Sequence, residues 1–422
     1  MKINSTLGMI VSCLLMAGCS SQRNISSSED LSLLKKEADE LHKEIVSVDT
    51  HTDAPLNLMD KGFDISKPHD ARVDHSKIDF PRMKAGGLDA VFFAAFVAQG
   101  PRTPEGNESA KKRAKDIIDT VHAVLERNKD VAALATSSSD AAKLKLQGRL
   151  AIYLGIENGY AIGNDLSLIR KYYDMGVRYM TLCHTKNNDI CDSSTDPDTV
   201  KYKGLSELGK KAVEEMNNLG MIIDVSHISD EAFYDVLKYT KTPVIASHSS
   251  ARALCNSPRD MDDEMLRAIA KNDGVVQICI LTDYIKEEPQ NKLRDSVMSI
   301  FRQKYANYGA MTEDEKAAMR KERAELDKKY PRKLATVSDA VDHIDHIVSV
   351  CGIDHAGIGT DFDGGGELED CYDVSEMKNI TVELLKRGYS HADVAKIWGG
   401  NFFRVFKEVE TYASGRNKSK PL

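Results

Sequence analysis

Basic tracts, tryptophan and closely spaced cysteines are what this 422-residue sequence has least of. It carries one Trp and eight Cys, and its 65 acidic residues outnumber the 57 Lys and Arg for a formal charge of −8. Without a basic run, that balance offers no footprint for nucleic acid or anionic lipid headgroups. No Cys-x-x-Cys pair marks a structural zinc module. No internal repeat or long Pro/Gly linker marks a second domain, and roughly 390 residues of 41% hydrophobic composition can bury one large core.

The first residues are not part of that core. Lys2 precedes an apolar stretch at 7–17 that is too short to span a bilayer but suits a secretory signal. LMAGC at 15–19 resembles a bacterial lipobox, with Cys19 as the lipid-modified first residue. The stretch 20–30 is polar and Ser-rich, as a tether would be. The expected organisation is a signal peptide at 1–18, a lipidated tether at 19–40, one domain at 41–415 and a short tail at 416–422. The mature chain would be an exported lipoprotein, held by acyl chains at the periplasmic or surface face of the cell envelope. Losing Lys2 takes its charge from −8 to −9. The six cysteines beyond Cys19, at 183, 191, 255, 279, 351 and 371, form no dense framework, and their pairing is not readable from sequence.

Within the domain, apolar β-branched runs alternate with amphipathic helices. The expected strands lie at 44–53, 90–98, 150–157, 177–184, 221–227, 243–248, 274–281 and 356–361. Near-continuous apolar runs fit parallel strands covered on both faces. Eight of them alternating with helices predict an α/β fold, a (β/α)8 TIM-like barrel. A charged segment between 284 and 331, where Thr312 and Glu315 form a capping-box pattern, predicts a helical insertion between strands 7 and 8.

In such barrels the chemistry sits at the C-terminal ends of the strands. His51 and Asp53 end the first strand on one side of it, because a strand repeats every two residues. Glu157, His184, His227, His248 and Asp361 end later ones. Each has a bland reading: His227 and His248 as satisfied core histidines, His184 as a loop cap, Glu157 as a structural acid. Seven ionisable groups at one mouth, costly to bury unpaired, instead predict a cation or a polar network there. His343, His346 and His355 are read as structural or solvated.

These residues lie in motifs that resemble the membrane (renal) dipeptidase family, peptidase family M19 of the amidohydrolase superfamily. The likeness runs from about 44 to 406 and includes VDTHTD at 48–53, DFPRMKAGGLDAVFF from 79, GIENG at 155–159, DVSH at 224–227, SHSSARAL at 247–254, HIDHIVSVCGIDHAGIGTDFDG from 343 and WGGNFFRVF from 398. The resemblance implies two Zn2+ per subunit: one bound by His51 and Asp53, the other by His227 and His248, with Glu157 and a hydroxide bridging them. It further implies oxyanion stabilisation by His184, proton transfer by Asp361 and a substrate-carboxylate contact at Arg259. The implied activity is hydrolysis of dipeptides with a free C-terminal carboxylate on an L- or D-residue. A homodimer is implied by the resemblance alone. Two other readings stay open: a related binuclear amidohydrolase acting on N-acyl amino acids or lactams, and a surface lipoprotein that binds peptides without catalysis. Two stretches depart from the family pattern. Cys279-Ile280-Leu281 stands where an Asn-Phe-Tyr-like segment is usual, and Asn158-Gly159-Tyr160 follows Glu157.

Overall fold

The apolar runs form nine strands: β1 (Val48–Thr52), β2 (Ala90–Phe96), β3 (Ala132–Leu134), β4 (Leu150–Glu157), β5 (Val177–Thr181), β6 (Ile222–Asp224), β7 (Ile245–Ala246), β8 (Val275–Ile278) and β9 (Ala356–Ile358). The structure, a computed structural model, describes residues 27–60, 62–196, 201–287, 291–305 and 311–419. The expected signal peptide, Cys19 and the last three residues lie outside these. Eight strands follow one another in the order β1-β2-β4-β5-β6-β7-β8-β9, and the pairings are parallel. The circle closes through a bridge between Thr52 and Phe362, with Asp361 N–H donating to His51 C=O at 3.0 Å and Asp53 N–H to Phe362 C=O at 2.8 Å. The expected (β/α)8 barrel is what the chain builds. β3 had no counterpart in the sequence reading; it pairs with Leu150–Ile152 of β4, below the point where β5 begins.

The barrel interior is a packed core. Val48, Phe92, Tyr153, Tyr179, Ile222, Ile245 and Val275 point inward and meet Phe402 and Phe406 of the last helix. A second apolar layer lies between the strands and the surrounding helices. The helices start where polar caps are placed. Thr103, Ser206, Ser229 and Asp262 each accept a backbone N–H of the first turn that follows.

Four expectations change. The strands are shorter than the apolar runs, so His184, His227, His248 and Asp361 sit in the first residues of the loops. His227 (φ 70°) and Asp361 (φ 61°) adopt left-handed backbone, which cannot continue a strand. The tether does not reach 40. Ser28–Glu44 is a helix with a Ser27/Asp30 capping box, and it buries Leu34, Ala38 and Leu41, an i, i+4, i+7 stripe. The domain also does not stop at 415, because its last helix spans Asn401–Ser419. Finally, the insertion contains two helices, Lys292–Lys304 as well as the expected Glu313–Lys329, whose capping box of Thr312 and Glu315 is formed. Arg320 of the second helix reaches Asp60 at 3.7 Å, which ties the insertion to the segment after Asp53. A pocket of about 660 Å³ lies between them, lined by Phe63, His75, Phe301 and Arg320.

Candidate active site

Parallel pairing brings the strand ends to one mouth, and the predicted residues converge there. His51, Glu157, His227 and His248 are buried, and Asp53 is 7% exposed. Glu157 is the centre. Its Oε2 lies 3.5 Å from His51 Nε2, while its Oε1 lies 3.0 Å from His227 Nε2, 3.5 Å from His248 Nε2 and 3.6 Å from His184 Nε2. One carboxylate thus faces two clusters of imidazole nitrogens. The donor atoms also form two triads that share Glu157, His51/Glu157/His248 and Glu157/His184/His227, each within 4.8 Å; His248 stands between the two groups, its Nε2 also 2.8 Å from His227 Nε2. Asp361 Oδ1 is 3.9 Å from His51 Nε2. His184 is the most open of the group, and its ring packs edge-on against Phe96 with centroids 4.7 Å apart.

Residues behind these side chains fix which nitrogen faces the centre. His51 Nδ1 lies 2.8 Å from the Tyr179 hydroxyl; with its N–H donating there, Nε2 is the nitrogen turned to Glu157, where a cation can take the place of a proton. His248 Nδ1 lies 2.8 Å from Ser247 Oγ, which in turn donates to Asp224 Oδ2 at 2.7 Å. This carboxylate–serine–histidine chain aims Nε2 at Glu157 in the manner of outer-shell partners at metal sites. Asp49 accepts from the N–H groups of His51 (3.2 Å) and Thr360 (2.9 Å) and from the Thr360 hydroxyl, locking β1 to the loop that carries Asp361. A Cβ on Gly155 would stand 2.3 Å from the Tyr179 ring, so the bare backbone there makes room for that ring.

The arrangement fits a divalent metal centre. His51 Nε2 and Asp53 Oδ1 are buried without a hydrogen-bond partner among the described residues, an expensive state unless a ligand satisfies them. Burial pushes His227 and His248 well below the ordinary imidazole range, with Arg259 among the groups adding to it, so both stay neutral as ligands must. Glu157 is opposed by burial but held well down by His51 and His184. His51 is also opposed by burial, yet Glu157, Asp361 and Asp53 raise it to about 10. That crowd of acids demands positive charge where Nε2 points. Imidazole and carboxylate donors suit Zn2+. Strained backbone at His227, Asp361 and Asn158 (φ 81°) costs about 1–3 kcal/mol each and clusters at this mouth.

The comparisons agree with this geometry. The family model for membrane dipeptidases, peptidase family M19, matches residues 35–420. The chain belongs to the membrane dipeptidase family. Membership makes it an enzyme of the metallo-dipeptidase class. It is 32% identical over 353 residues to Dipeptidase aclJ of Aspergillus oryzae, covering 82% of this chain and 74% of that one. With Dipeptidase 3 of Macaca fascicularis it shares 29% over 394 residues, 92% of this chain and 70% of the other. Among solved structures, the probable dipeptidase PvdM of Pseudomonas aeruginosa superposes with a TM-score of 0.77 at 31% identity, covering 90% of this chain and 100% of that one. A metallo peptidase from Rhodobacter sphaeroides, liganded with a phosphinate mimic of the dipeptide L-Ala-D-Ala, shares the fold at TM-score 0.69 and 20% identity, with 86% and 99% covered.

Arg259 of this family member is buried beside the cluster. Its guanidinium donates to His248 C=O at 3.0 Å and to Ser249 Oγ at 3.4 Å, and its Nε has no partner among the described residues. Cys279, at the departure from the family pattern, places Sγ 4.0 Å from Asp361 Oδ2. Asn158, at the other, donates to Val97 C=O and accepts from Tyr160 N–H, bracing the turn after Glu157. The six cysteines from Cys183 onward are free thiols. Sequence reasoning missed Tyr179, Ser247, Asp224 and Asp49 as support for the candidate site residues. Tyr179 reads as core in an apolar run, whereas Asp49, Asp224 and Ser247 stand inside the motifs that carry the candidate site residues.

Proposed function

We propose that this protein hydrolyses dipeptides bearing a free C-terminal carboxylate at a pair of Zn2+ ions, with His51 and Asp53 holding one, His227 and His248 the other, and Glu157 bridging. The observation that carries the reading is the division of Glu157, with Oε2 towards His51 and Oε1 towards His227 and His248. Bound there, the ions would polarise the scissile carbonyl and lower the pKa of water towards neutrality.

The chain's own side chains do the rest. Asp361 is held beside His51 by strained backbone. Burial, reinforced by Glu157, raises its carboxyl to about 7 although His51 opposes the shift, which suits a group that takes a proton from water and returns it to the leaving amine at neutral pH. His184 faces the mouth and is placed to hold the oxygen on which negative charge develops. Burial lowers its pKa, with Glu157 opposing. Arg259 supplies a guanidinium fork for the substrate carboxylate. A cation fixed at that place accepts a C-terminus one residue beyond the scissile bond, so dipeptides are preferred over longer chains.

The lipobox-like segment extends the proposal to location: Cys19 carries acyl chains, and the enzyme works at the outer side of a cell-envelope membrane, with a homodimer as its assembly. Among the described residues, no helix is long and apolar enough to cross a membrane.

The test is a panel of L,L and L,D dipeptides, N-acetyl amino acids and a tripeptide, offered to the protein from Ser20 onward with zinc, after chelation, and as Asp361→Asn. Zinc-dependent cleavage confined to dipeptides, and lost in the variant, is expected. Cleavage of the acylated amino acids alone, or none by the protein loaded with two Zn2+, would replace this reading.

A further inference from the structure

His343 belongs to no ligand set, yet it joins the two loops that surround Arg259. It lies on the helix Val337–Cys351 and is 1% exposed. Ala251 N–H donates to its Nδ1 at 3.0 Å, and its Nε2 is 2.9 Å from Ile285 C=O. Since Nδ1 accepts, the ring's one proton sits on Nε2 and donates to Ile285, so the imidazole is neutral and both nitrogens are used. Burial, which lowers its pKa, keeps it neutral.

Each end of this strut leads to Arg259. Ala251 lies in the loop after β7 and bridges to Met261 on the loop's return, with Arg252 N–H donating to Met261 C=O at 2.8 Å. Arg259 lies on that loop. Ile285 ends the short helix Thr282–Ile285, whose Tyr284 ring faces the Arg259 guanidinium carbon at 5.2 Å. Thr282 Oγ1 ties the same helix to Glu367 C=O at 3.2 Å. One buried ring therefore sets the spacing between the loop that carries the guanidinium and the helix that presents its aromatic wall. An apolar side chain of similar size would leave a buried N–H and a buried C=O unpaired.

We propose that His343 is a positioning residue for recognition of the substrate carboxylate, fixing Arg259 and Tyr284 relative to each other. The inference rests on the assignment of Arg259 made under the proposed function. It is tested by steady-state kinetics and zinc content of the wild-type protein, His343→Leu, His343→Gln and Arg259→Lys. The substrates are one L,L dipeptide and its C-terminal amide. His343→Leu raises KM for the free acid about ten- to hundredfold, the cost of a misplaced binding group. It keeps both Zn2+, leaves kcat within about threefold and narrows the preference for acid over amide. Gln, which restores one of the two hydrogen bonds, recovers part of the loss.

An unchanged KM and preference in folded His343→Leu, alongside a raised KM in Arg259→Lys, overturns the role of His343. If Arg259→Lys changes neither, the carboxylate assignment itself has failed. Should His343→Leu not fold, 15N NMR of histidine-labelled wild-type protein decides: a neutral Nε2–H tautomer at pH 7 supports the strut, and an Nδ1–H tautomer or an imidazolium overturns it.

Discussion

Replacing Tyr179 with Phe isolates the contribution of a residue placed behind the proposed metal site. The ring is fully buried, and its stacking on Phe92 at 5.0 Å survives the change, so packing is conserved. What goes is the hydroxyl 2.8 Å from His51 Nδ1. His51 is itself completely buried, so its Nδ1–H has no water to turn to. An unsatisfied buried donor costs about 1–3 kcal/mol. Loss of an outer-shell partner weakens metal binding by about 10–100-fold, which is the same energy seen as affinity. The effect is confined to the site of His51 and Asp53, because His248 is oriented separately through Ser247 and Asp224. Zinc titration against a competing chelator should resolve one dissociation constant raised by about 10–100-fold and the other unchanged. Gly155→Ala should act in the same direction by displacing the ring. Two unchanged constants in Tyr179→Phe would refute the claim that this hydroxyl fixes the His51 tautomer.

Asp361→Asn keeps both ions and lowers kcat by about 10²–10⁴-fold, the usual contribution of a positioned acid–base group; single-turnover kinetics with metal analysis check it. Asp260 gives a pH signature. Burial raises its carboxyl to about 7, so between roughly pH 4 and 7 the folded protein retains a proton that the unfolded chain has lost, and stability falls as pH rises through that window. Urea unfolding of the metal-free protein at pH 4.5 and 7.5 should show Asp260→Asn gaining about 2–4 kcal/mol on wild type at the higher pH; no pH-dependent difference would count against the shift. Cys19→Ser should move the protein from the membrane fraction to the soluble fraction and abolish incorporation of a labelled fatty acid.

The barrel was legible because its strands lie within long apolar stretches and the candidate site residues lie at or just beyond their ends, as β4 running into Glu157 illustrates. The ends themselves were less so. A run such as VRYMTLCH continues to His184, but the ladder stops at Thr181, since mouth residues leave the sheet to form loops. Nothing local announces the left-handed backbone of His227 and Asp361. The three-residue β3 is too short for a periodic signal. The helix at Ser28–Glu44 was readable from its Leu34, Ala38 and Leu41 spacing, and the polar Ser-rich stretch before it obscured it. His343 looked like one more helical histidine, and only the pairing of β7 with β8 brings its two partners within reach.

The most direct test of the proposed two-zinc centre is a crystal structure of the zinc-loaded protein with diffraction recorded on both sides of the zinc absorption edge. Two anomalous peaks flanking Glu157, one against His51 and Asp53 and the other against His227 and His248, are predicted. A single peak, or a pair that leaves Glu157 outside the coordination sphere, would contradict the account.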